Sequence, residues 1–124
     1  MAVERSSPLL GSLEAEVMRV VWNHPDRFVP VREVLDALGG NLAYTTVMTV
    51  MNRLYEKGLL RRRRRGRAWS YRPSTSREAY AAATMAEALS MAEDRTAALL
   101  HFVADLDRGE AESLRRLLDA GQRP

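Results

Sequence analysis

Gly58 and Gly66 bracket the tract Leu59-Leu60-Arg61-Arg62-Arg63-Arg64-Arg65, and this bracket constrains the fold more than any other feature of the chain. Upstream, Val47, Val50, Met51 and Leu54 fall at helical spacing, and Gly58 supplies the left-handed residue that closes such a helix. The β-branched content of Thr45 to Val50 would also suit a strand, but the helical spacing carries through Leu54 and favours a helix. Downstream, Leu59 to Arg64 and Ala68 to Arg72 read as two short strands joined near Arg65-Gly66, where glycine permits a hairpin turn. Trp69 and Tyr71 then share one face and are expected to pack on the helices beneath.

Two earlier helices complete the module. Ser12 is the expected cap of the first, which carries Leu13, Val17, Val20 and Val21 on one face and stops at His24-Pro25. After an extended piece near Phe28 to Pro30, the second carries Val31, Val34, Leu35 and Leu38 and ends at Gly39-Gly40. Helix, helix, helix, hairpin is the order of a winged helix-turn-helix. Beyond Pro73, Thr75 with Glu78 predicts a capping box for a fourth helix, Asp94 starts a fifth, and Asp107 with Glu110 boxes a sixth. The expected architecture is mainly α with a small β-hairpin. Residues 1–73 form a winged-helix DNA-binding domain and 74–124 a three-helix dimerisation domain, with Leu99, Val103, Leu106, Leu114, Leu117 and Leu118 as its pairing face. The methionines read mostly as core filler, with Met48 alone exposed at the DNA.

Charge follows the same division. Residues 1–73 hold 13 Lys/Arg against 7 Asp/Glu, and residues 74–124 hold 6 against 9. Between Asn41 and Arg72 nine basic residues face Glu56 alone, which calls for a polyanionic partner. With the third helix's apolar stripe turned inward, Thr45, Thr49 and Asn52 point outward, flanked by Thr46, Arg53 and Met48. Thr45, Thr46, Met48 and Thr49 are the candidate base contacts, because threonine lets a helix sit deep in the major groove and meets base edges through its hydroxyl and methyl. Asn41, Arg53, Arg62, Arg64, Arg65 and Arg67 are the candidate phosphate contacts.

Nothing in the chain suggests an enzyme. There is no cysteine, and His24 and His101 stand far apart with no metal-ligand spacing, so neither metal nor cofactor is expected. No leader-like or membrane-length apolar run occurs, which points to a cytoplasmic protein without membrane insertion.

The chain resembles the penicillinase-repressor (BlaI/MecI) family over nearly its whole length. The resemblance runs from Leu13-Glu14-Ala15-Glu16-Val17-Met18 and Trp22 through Thr46-Val47-Met48-Thr49 and Asn52 to Leu59. It continues in Gly66-Arg67-Ala68-Trp69-Ser70-Tyr71-Arg72-Pro73 and ends in Glu112 to Leu118. It implies a homodimeric repressor that binds inverted-repeat, double-stranded operator DNA and controls β-lactam-resistance genes. It also implies an inducing protease that cuts the fifth helix, by carry-over at His101–Phe102, although histidine stands where the family has an asparagine-like residue. Two other readings are a winged-helix regulator released from DNA by a small ligand and a protein-interaction adaptor built on the same fold.

Overall fold

The computed structural model describes residues 10–121. The chain divides into two compact units, Met1–Thr84 and Met85–Pro124. In the first, α1 (Ser12–Trp22) is followed by β1 (Val29–Pro30), α2 (Val31–Ala37), α3 (Tyr44–Glu56), β2 (Leu60–Arg65) and β3 (Ala68–Pro73). Helix α4 (Arg77–Leu89) runs across the division, and α5 (Arg95–Ala104) and α6 (Arg108–Gly121) belong to the second unit. The fold is mainly α, a winged helix-turn-helix followed by three helices.

Helices α1 to α3 bury most of the stripe their spacing predicts, all of it in α3, while Leu13, Val20 and Leu38 stay half-buried and Met18 is fully buried in their company. Val17, Met18 and Val21 from α1, Val31, Val34 and Leu35 from α2, and Val47, Val50, Met51 and Leu54 from α3 meet in one core. Leu60 and Tyr71 close it from the sheet, and Trp69 packs half-buried against it. Helix α3 ends in a Schellman motif. Gly58 adopts φ +87°, its N–H donates to the Tyr55 carbonyl at 3.0 Å, and the Leu59 N–H donates to the Leu54 carbonyl at 3.0 Å. This closure turns the chain directly into β2.

The sheet has one strand more than the sequence suggests. Its order is β1-β3-β2, all antiparallel, with Val29 opposite Tyr71 and Pro30 opposite Ser70. Pro30 lacks an N–H and is tolerated because β1 is an edge. In the β2–β3 hairpin, Arg65 pairs with Ala68 across the two-residue turn Gly66-Arg67. Gly66 takes φ +62° while no non-glycine residue among those described has positive φ, the pattern of a type II′ turn. Five arginines along the outer strand also deter edge-to-edge pairing with another sheet, by charge repulsion.

Two caps sit one residue from where the sequence suggests. Gly11, not Ser12, caps α1, because the Glu14 carboxylate reaches back to the Gly11 N–H at 3.1 Å. At α4 the Ser76 hydroxyl, not Thr75, accepts from the Ala79 N–H at 3.0 Å. The Thr75 carbonyl instead accepts from the Trp22 indole at 3.0 Å, and the Trp22 and Tyr80 rings lie 5.7 Å apart. The start of α4 is thereby fastened to α1, and the compact units part inside α4, eleven residues beyond the expected boundary after Pro73. The Asp107–Glu110 box at α6 forms as expected, with reciprocal bonds of 2.8 and 3.1 Å.

Candidate nucleic-acid interface

On α3, Thr45, Thr46, Met48, Thr49 and Arg53 are all exposed while Val47, Val50, Met51 and Leu54 are buried. The 100° step between successive residues thus separates a packed face from a free one. Asn41, in the loop before α3, is exposed as well. Helix α3 is held from behind by an ion pair: Lys57 Nζ donates to the two Glu14 carboxylate oxygens at 2.9 and 3.2 Å. Burial alone would raise the Glu14 pKa, but hydrogen bonds from Lys57 and the Gly11 N–H outweigh it and hold the carboxyl below its ordinary range.

The pairing register divides the arginine run by face. Arg62 stands opposite Tyr71 and Arg64 opposite Trp69, so both share the face of these aromatics. Arg61, Arg63 and Arg65 project from the other face, where Arg63 and Arg72 flank the Phe28 ring at 4.4 and 5.6 Å. Arg64, Arg65 and Arg67 are exposed, and the ion pairs among the described residues involve none of the arginines from 61 to 67. Their charge is uncompensated locally, which is the condition for gripping a polyanion.

Arg62 differs from its neighbours. Its guanidinium lies 4.0 Å from the Tyr55 ring centroid and 4.2 Å from that of Trp69. Its Nη1 donates to Asn52 Oδ1 at 2.7 Å. Asn52, expected to point freely outward, is half-buried and engaged by this bond. Residue spacing alone misses the contact because it joins three elements; the usable signal is the two-residue turn, which fixes Arg62 on the aromatic face.

In the second unit the expected pairing residues lie on apolar faces that the chain leaves open. Leu99, Val103, Leu117 and Leu118 are exposed, and Leu106 and Leu114 are half-buried. His101 and Phe102 are exposed toward the C-terminal end of α5. Met85 and Met91 are exposed too, contrary to their reading as core, because α4 to α6 have no buried residue. Among the described residues no helix is long and apolar enough to cross a membrane, and no cluster of metal-ligating side chains occurs.

Comparisons with known proteins agree with this geometry. The transcriptional regulator BlaI of Mycobacterium tuberculosis is 45% identical over 114 residues, 88% of this chain and 82% of that protein. The penicillinase repressor of Bacillus licheniformis is 31% identical over 75 residues, 59% of this chain and 57% of its own. Among solved structures, MepR, a transcription regulator of the Staphylococcus aureus multidrug efflux pump MepA, shares the fold with a TM-score of 0.50 at 16% identity, covering 90% of this chain and 76% of that one. The family model described as penicillinase repressor matches residues 10–120. The chain therefore belongs to the penicillinase-repressor family, whose members are transcriptional repressors and not enzymes.

Proposed function

We propose that the protein is a cytoplasmic homodimeric repressor whose two winged-helix modules bind the halves of an inverted-repeat operator. Helix α3 enters the major groove and reads bases through Thr45, Thr46, Met48 and Thr49. Asn41, Arg53, Arg64, Arg65 and Arg67 hold the flanking phosphates, and Arg62 takes the separate role argued below. Residues 74–124 pair two chains through Leu99, Val103, Leu106, Leu114, Leu117 and Leu118. The observation that carries the reading is the free, uncompensated cationic wing beside an exposed, short-side-chained helix face. Kinship with a named penicillinase repressor supports β-lactam-resistance genes as the target. Cutting at His101–Phe102 by an inducing protease is the release step, and exposure of both residues in the single chain is compatible with it.

Binding stoichiometry tests the core of this proposal. An inverted-repeat duplex selected by the full chain from a randomised pool takes up two chains, and scrambling one half-site weakens binding sharply. Equal affinity for selected and scrambled duplexes overturns it. Release is tested separately by following the chain in β-lactam-treated cells: a cut between residues 101 and 102 supports proteolysis, and operator release by an intact chain refutes it.

A further inference from the structure

Arg62 is the one member of the arginine run whose guanidinium meets two aromatic rings and a side-chain hydrogen-bond acceptor. The ring centroids of Tyr55 of α3 and Trp69 of β3 lie 4.0 and 4.2 Å from it, and Asn52 Oδ1 of α3 accepts from its Nη1 at 2.7 Å. Its root is equally fixed, since Arg62 stands opposite Tyr71, which is only 1% exposed. These contacts tie the guanidinium to α3 and β3, so it is less free than its neighbours to follow a phosphate. Arg65 and Arg67 have no such partners among the described residues, and Arg64 has one bond to the Gly66 carbonyl at 3.2 Å and a more distant approach to Trp69 at 5.5 Å.

We propose that Arg62 is a positioning residue that locks the wing against the reading helix, and so sets sequence discrimination instead of phosphate affinity. This rests on the DNA-binding reading above. The groove it occupies is lined by Met48, Thr49, Asn52, Trp69 and Tyr71, so two of the proposed base contacts border the lock. Arg62 also fixes Asn52: with Oδ1 held by the guanidinium, the amide nitrogen is turned toward Glu56, at 3.5 Å. A lysine keeps the charge but lacks the planar guanidinium that contacts both rings while bonding Asn52, so it does not replace arginine here.

The test compares the full-length wild-type chain with R62K, R62A, R64K and R64A on the selected inverted repeat and on a scrambled duplex of equal length. R62K and R62A should both lose about tenfold or more in the selected-to-scrambled affinity ratio. Their affinity for the scrambled duplex, and its salt dependence, should stay at the wild-type level. R64A should lose affinity for both duplexes with a shallower salt dependence, and R64K should restore the salt dependence while the selected-to-scrambled ratio stays unaltered in both. Rescue by R62K, or a salt dependence that flattens in R62A as in R64A, overturns the proposal and makes Arg62 a phosphate clamp. NMR judges the lock without DNA: the Arg62 side-chain protons should be shifted upfield by the two rings in the free chain and remain so in the complex. Unshifted protons in the free chain overturn the lock. A wild-type chain with no sequence preference overturns the DNA reading itself, whereas preference retained by R62K overturns this proposal alone.

Discussion

The winged-helix body and the helices that follow it solve opposite problems. Every buried residue among those described lies between Glu14 and Tyr71, and α4, α5 and α6 contribute none. The body satisfies its apolar stripes internally and leaves its charge free. The later helices do the reverse: Leu100 and Leu117 are each 69% exposed, while Asp94, Asp107 and Glu110 cap the helices neatly. Well-formed helices with uncovered apolar faces need a partner surface to offset their hydration cost. What each region leaves unsatisfied, charge in one and apolar surface in the other, indicates the partner each is built to meet.

The largest expected effect breaks the apolar side of this comparison. Replacing Leu117 and Leu118 together by Glu should weaken self-association by at least roughly 4 kcal/mol, about a thousandfold, because each chain of the pair loses two leucine burials and gains two charges. Sedimentation of the full-length double variant checks this, and unchanged dimerisation would move the interface elsewhere. Met51, fully buried beneath α3, probes the body. Met51→Ala should cost about 3 kcal/mol of stability through lost contacts and a residual cavity. Chemical denaturation should detect that loss, while dimer affinity measured under native conditions stays near wild type.

A smaller effect comes from the Glu14–Lys57 pair behind α3. Glu14→Gln should cost about 1–2 kcal/mol at pH 7, since the ion pair is lost while the amide oxygen can still accept from the Gly11 N–H. The sign of its pH dependence follows from the lowered folded pKa. The contribution is fully present above the unfolded carboxyl value near 4.3 and is lost as pH falls through the folded value. The wild-type advantage over E14Q should therefore shrink below about pH 4. Denaturation curves at pH 7 and pH 3.5 decide this, and an advantage that grows on acidification would contradict it.

The parts of the fold legible in the sequence were those governed by local periodicity. The inward face of α3 could be read because Val47, Val50, Met51 and Leu54 keep strict helical spacing, and the hairpin because Gly58 and Gly66 supply the two positive φ angles the path requires. Cap positions slipped by one residue at α1 and α4, where neighbouring Gly, Ser and Thr compete and longer-range bonds decide, as the Trp22–Thr75 contact illustrates. The short β1 strand was visible only as an extended piece, since two residues carry no periodicity and owe their state to pairing with β3. In the site, exposure of the α3 face was legible. The Arg62–Tyr55–Trp69–Asn52 cluster was not, because it depends on strand register and on side chains meeting through space.

The central claim, that the free arginines of the wing grip duplex phosphates, is tested most directly by salt titration of operator binding with wild-type chain and the triple variant Arg64→Ala, Arg65→Ala, Arg67→Ala. The slope of log K against log salt should become shallower by about 0.9 for each phosphate contact removed, with affinity falling on all duplexes alike. A triple variant with the wild-type slope and affinity would contradict the account.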